Sequence, residues 1–171
     1  MRLNTKKIVI SGMLTALAVA LSGFSIPVGV ARCFPIQHLC NVIAAVFLGP
    51  VYGVGMAFST SLIRNLMGTG SLLAFPGSMA GAFLSAWLYQ HMKQLRWAYL
   101  GEVVGTGVIG ALLSYPVATL VMGREAAVFT YVIPFLASTV CGTLMAVILI
   151  GALYRSGALL YLNKILAGQE K

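Results

Sequence analysis

Residues 32–52 read RCFPIQHLCNVIAAVFLGPVY. An arginine, a histidine, a glutamine, an asparagine and two cysteines crowd its first ten positions, and an apolar run follows, closed by Gly49–Pro50. In a soluble domain such a run would be one buried element beneath a charged surface. The surrounding chain supplies no such surface: of 171 residues, 60% are hydrophobic and 8% charged, and the mean hydropathy is +0.96. Soluble domains carry about 25% charged residues. The stretch therefore reads as a polar mouth on a helix that enters lipid.

A hydrocarbon core about 30 Å thick takes roughly 20 apolar residues of helix. Working outward from 32–52, the pattern predicts an all-α integral membrane protein. It would be one domain over 1–171, a bundle of six transmembrane helices near 7–25, 37–49, 51–67, 73–92, 98–121 and 128–154. The second and third are split sharply, because Pro50 disfavours helix at the residue before it. The first 26 residues have the basic start, apolar centre and small residues of a signal peptide. Since the rest of the chain is equally apolar, they read as an uncleaved first span.

The net charge of +8 sits in particular places. Arg2, Lys6 and Lys7, then Lys93 and Arg96, then Arg155, Lys164 and Lys171 flank alternate ends of the spans, and they make up eight of the eleven basic residues. The positive-inside rule then puts both termini in the cytoplasm and leaves only Arg32, Arg64 and Arg124 outside. The chain reads as a multi-pass protein of the cell membrane, in contact with lipid. No basic face with interleaved aromatics is present, which excludes nucleic acid as a partner.

A second polar cluster, RNLMGTGSLLAFPGS at 64–78, falls on the same outer side. A charge placed at mid-span costs roughly 2.5–3.5 kcal/mol, so two such clusters on one side point to a shared cavity. Gln37 and Asn41 are four apart and share a helix face, with His38 alongside; Ser61, Arg64 and Asn65 do the same on the next helix. Pro76–Gly77 opens the fourth helix, whose free amides suit anions or polar oxygens. The candidate binding residues are Gln37, His38, Asn41, Arg64, Asn65, Thr69, Ser71, Phe75, Ser78 and Tyr131, with Phe34 and Tyr115 as further stacking surfaces. Each has a plainer alternative. Amides and hydroxyls glue helices together, a terminal arginine snorkels, and aromatics fill cores or interfacial belts.

Signatures of catalysis are missing. Cys33, His38 and Cys40 suggest zinc, but their spacing fits no standard site and a fourth ligand is lacking nearby. Cys141 reads as a small packing residue within an apolar run, and three cysteines make no disulfide framework. The carboxylates are Glu102, Glu125 and Glu170; the first two flank opposite ends of the fifth span, so no pair is available for acid–base or two-metal work. HExxH, GxSxG and Walker patterns are absent. Hence no catalytic residue, metal or cofactor is expected in this chain. Nor is there an acid at mid-membrane for proton coupling, which makes uphill transport dependent on a partner. Gly12, Ala16 and Ala20 repeat every four residues on the first helix, and such stripes let helix backbones approach closely. Gly77–Gly81 and Gly101–Gly105 repeat likewise, so packing inside the bundle is the alternative.

Six spans, a basic N-terminus and the AxxxA pattern at Ala16–Ala20 resemble the S component of energy-coupling factor (ECF) vitamin transporters. RCFPIQHLCNVIAAVFLGPVY and RNLMGTGSLLAFPGS resemble, more specifically, the thiazole-specific S component family, ThiW. That resemblance implies a substrate-binding subunit that captures 4-methyl-5-(2-hydroxyethyl)thiazole, a thiamine precursor, on the outer face. It also implies a transmembrane T component and two ATPase subunits as partners, which use ATP; contact with the T component is implied for Ala16 and Ala20, with Gly12 as an extension. Residues 26–36 would cap the pocket. Metal-specific S components carry a histidine where this chain has Arg2, which argues against cobalt or nickel. The alternatives are an S component for the pyrimidine moiety or thiamine, a small membrane enzyme acting on a lipid, and a scaffold with no ligand.

Overall fold

Proline and glycine mark the helix ends in this chain. The computed structural model describes residues 4–28, 31–125 and 127–166; Arg2, Glu170 and Lys171 lie outside them. Asn4 caps α1 (Thr5–Ala20), its side chain accepting from the Lys7 amide at 3.3 Å. After a single tight turn at Leu21–Gly23, two short strands follow, β1 (Ile26–Val28) and β2 (Ala31–Cys33). They pair antiparallel, Ile26 opposite Cys33 and Pro27 opposite Arg32. This hairpin is a departure from the all-α expectation; three-residue strands are too short to show an alternating pattern. Pro35 opens α2 (Pro35–Phe47), and Gly49, at φ +86°, reverses the chain so that Pro50 can open α3 (Pro50–Leu66). That positive φ is glycine's territory.

The remaining helices are α4 (Ala74–Met92), α5 (Leu95–Val121), α6 (Val132–Arg155) and α7 (Ala158–Leu166). Each expected span therefore meets a helix, with ends shifted by a few residues. Three stretches are long and apolar enough to cross a membrane by length and composition: 5–23, 95–121 and 132–155. α2, with 13 residues, and α3, with 17, are shorter.

α4 and α5 form the tightest contact. Only Lys93, itself in the left-handed conformation at φ 55°, and Gln94 separate them. Running antiparallel, they bring Gly101 against Ser85, Gly105 against Gly81 and Gly110 against Gly77. A Cβ at those three glycines would lie 2.5, 2.7 and 2.6 Å from the facing Cα atoms. On α4 the partners step by four; on α5 the second step is five. The extra residue is absorbed where α5 widens into a π turn over Gly105–Gly110. A second π turn follows Pro116, at Val117–Val121.

A large apolar cluster fills one end of the bundle, where Val42, Val46 and Leu48 meet Met56, Ala98, Ala146 and Ile150. α7 adds Leu159 and Leu166 to it, and Asn4 Nδ2 donates to the Leu166 carbonyl at 3.2 Å. The two ends of the described chain thus lie side by side. Lys7 closes the same end, donating to the Leu48 carbonyl at 3.0 Å.

The small-residue stripes have different fates. Gly77, Gly81, Gly101 and Gly105 are consumed inside the α4–α5 seam. Gly12, Ala16 and Ala20 are exposed, α1 burying Leu14, Thr15 and Ala18 instead; nothing lies within 4 Å of a Cβ placed at Gly12. Substituting Gly105 with leucine should cost ~3 kcal/mol or more, the upper end of overpacking, since backbone must yield. Gly12→Leu should leave folding unchanged. Thermal unfolding of the two purified variants, followed by size-exclusion chromatography, separates them.

Candidate functional site

At the end of the bundle opposite the large apolar cluster, α2, α3, α4, α5 and α6 enclose a cavity of about 720 Å³, with the hairpin at its rim. That size is ordinary for a small-molecule site.

Polar side chains beneath it form one network. Gly101, Gly105 and Gly110 of α5 pack against α4, and Gly142 of α6 packs against Pro35 and His38 of α2; where these contacts meet, Glu102 of α5 reaches α2. Its Oε1 accepts from His38 Nδ1 at 2.8 Å, Asn41 Nδ2 at 2.9 Å and Thr106 Oγ1 at 3.1 Å. Asn41 also donates to the Ser78 carbonyl at 3.2 Å. Glu102 and Asn41 are both 0% exposed. This corrects the placing of Glu102 at a span end. α5 begins at Leu95, so Glu102 sits about two turns inside the helix, and the chain does hold an acid deep in its bundle. Its signal was the i, i+4 pair Glu102–Thr106 on one face of a helix extended back past residue 98.

Arg64 builds one wall. Only 1% exposed, it donates through one terminal nitrogen to Gln37 Oε1 and through the other to the Thr69 carbonyl at 3.2 Å. Its guanidinium lies 3.8 Å from the centre of the Phe34 ring, and no carboxylate pairs with it among the described residues. Gln37 in turn donates to Ser61 Oγ at 3.4 Å, and Ser61 lies 3.2 Å from Ser78 Oγ. The 3–4 link curls back over the end of α3: the amides of Thr69 and Gly70 donate to the Arg64 carbonyl at 2.9 and 3.0 Å. Asn65 Nδ2 pins the same link, donating to the carbonyls of Ser61 and Ser71.

Of the ten candidate binding residues, Gln37, His38, Arg64, Thr69, Ser71, Ser78 and Tyr131 line the cavity. Asn41 lies beneath it, reaching the lining through Glu102 and Ser78. Asn65 and Phe75 do not line it. Asn65 has spent its amide on the loop, and Phe75 stacks on Phe58 at 5.5 Å between ring centres, on a half-exposed seam between α3 and α4. Tyr115 is likewise outside the lining. Pro27 comes from the segment expected to cap the pocket, and residues that the sequence did not single out also contribute: Ser22 and Ser25 before it, Thr106 from α5, and Phe135 and Ser138 from α6. Arg32 and Arg124 join Arg64 there, so all three arginines that charge counting left on one side border the same space.

The cysteines and His38 do not converge. The Cys33 thiol donates to the Pro134 carbonyl at 3.2 Å, and burial pushes its pKa up, which keeps it a thiol rather than a metal-binding thiolate. His38 is engaged by Glu102. Cys141 is exposed, contrary to the expectation of a packing role.

The profile of the thiamine-precursor transporter protein family (ThiW) matches residues 8–156. A solved structure described as the S component of a bacterial ECF transporter superposes with a TM-score of 0.68, at 18% identity, covering 91% of this chain and 97% of that one. The two share a fold. No curated protein matches the chain in sequence.

Replacing Arg64 with alanine should free the 3–4 link by removing its hold on Gln37 and the Thr69 carbonyl, at ~1.5–3 kcal/mol for hydrogen bonds to a charged group. Hydrogen exchange of ligand-free protein should show faster exchange across residues 67–72, while the α4–α5 seam stays protected.

Proposed function

Since the chain belongs to the ThiW family of thiamine-precursor transporter proteins and shares the S-component fold, we propose that it is the substrate-binding subunit of an ECF importer that captures 4-methyl-5-(2-hydroxyethyl)thiazole. Transport, not catalysis, is the family's activity. The observation that carries the reading is the cavity: a polar floor and wall, aromatic rings at Phe34, Tyr131 and Phe135, and room for a small heteroaromatic alcohol. The rings offer stacking surfaces to a thiazole, and spare N–H groups of Arg64 can reach a ring nitrogen or hydroxyl oxygen.

In this reading the cavity opens to the outside, residues 26–36 cap it, and both termini face the cytoplasm, with six helices spanning the cell membrane as one domain. Binding falls to Gln37, His38, Arg64, Thr69, Ser71, Ser78 and Tyr131, with Asn41 supporting from below. Gly12, Ala16 and Ala20 form the surface for the transmembrane T component, and two ATPase subunits supply the energy from ATP. The exposure of this stripe, beside exposed Val9, Met13 and Leu17, supports the assignment; the buried glycine stripes offer no such face.

The three bordering arginines favour one second reading, a phosphorylated thiazole, because a phosphate monoester pairs well with guanidinium groups. They disfavour thiamine, whose thiazolium is cationic.

Isothermal titration of the purified protein with the alcohol, its phosphate ester, the pyrimidine moiety and thiamine ranks these ligands. The alcohol is expected to bind tightest; tighter binding of the ester would replace it, and binding of none would overturn the substrate class. Asn41→Ala should weaken the alcohol by ~1–2 kcal/mol, the scale of a lost buried hydrogen bond. Ala16→Trp should leave its dissociation constant unchanged while abolishing uptake in cells that supply the partner subunits. Normal uptake would remove α1 from the coupling surface.

A further inference from the structure

Glu102 has no part in ligand contact as described so far. It does not line the cavity, yet it is wholly buried and draws three donors onto one oxygen. A carboxylate in that position is costly unless it is answered by charge or hydrogen bonds. Helix packing alone does not call for it, since the seam on either side of it is closed by glycines. What the carboxylate does control is a ring. His38 turns Nδ1 to Glu102 and lines the cavity; its Nε2 has no protein partner among the described residues. A hydrogen bond at one imidazole nitrogen decides what the other presents. With Nδ1–H donating to the carboxylate, neutral His38 offers a lone pair at Nε2.

We propose that Glu102 is a positioning residue that holds His38 as the acceptor for a ligand hydroxyl. This rests on the reading of the ligand as a small hydroxylated heteroaromatic. The hydroxyl donates to Nε2 and accepts from Arg64, which shares the cavity and has given two of its five N–H groups to Gln37 and Thr69.

The test measures binding of hydroxyethylthiazole and its 5-ethyl analogue, which lacks the hydroxyl, at one fixed pH to wild type, Glu102→Gln and His38→Phe. In wild type the alcohol should bind ~tenfold or more tighter than the analogue. His38→Phe should abolish that preference and Glu102→Gln should reduce it. Nitrogen NMR of the wild-type imidazole should show the proton on Nδ1. An undiminished preference in either variant, or a proton on Nε2, overturns the proposal. If Glu102→Gln does not fold, His38→Phe and the NMR tautomer decide. Equal binding of alcohol and analogue by wild type sinks this proposal alone; binding of neither compound sinks the substrate reading with it.

Discussion

A carboxylate buried to 0% exposure among packed helices is costly unless the protein's own donors answer it. Much of this structure can be read as that answer. Glu102 draws His38 and Asn41 from α2 and Thr106 from its own helix, and Asn41 carries the network on to α4 through the Ser78 carbonyl. Three helices are thereby fixed in rotation around one oxygen. Glycines leave the room for it: a Cβ at Gly81 would run into Glu102 and Thr106, and one at Gly142 into His38. Packing of small residues and buried polar bonding, the two forces available to helices in a membrane, act here at the same place.

Arginine plays the complementary part. Arg64 is held by Gln37, a backbone carbonyl and the face of Phe34, with no carboxylate partner among the described residues. The link that supplies the carbonyl is itself folded onto the last turn of α3 by Asn65. Cation and anion are thus both internal, each supported by neutral groups, with the cavity beside them. Arg32 and Arg124 add further positive charge at the rim. The three arginines that break the bias of basic residues at alternate span ends thus line the walls of one chamber.

Much of this was legible from residue order. The clusters at 32–41 and 64–78 stood out against an apolar background, and their meeting in one cavity follows from helix periodicity and the sharp break at Gly49–Pro50. Spacing alone could not say which way a small-residue stripe faces: Gly12–Ala16–Ala20 and Gly77–Gly81 look alike on paper, yet one is exposed and the other sealed against α5. Hydropathy alone starts the fifth helix near residue 98 and puts Glu102 near its end; the two-residue connection through a left-handed Lys93 lets the helix begin at Leu95. Asn65 and Phe75 carried the right chemistry on the wrong side of their helices. The hairpin left no pattern to read.

The π turn in α5 has an evolutionary consequence. It behaves as a single inserted amino acid whose surplus is stored in one widened coil between two contacts, Gly105 with Gly81 and Gly110 with Gly77. A deletion of one residue between those contacts would return the coil to ordinary pitch with both contacts still in register. The coil between Gly105 and Gly110 is therefore the place where this helix can lose a residue while its flanking contacts with α4 keep their register.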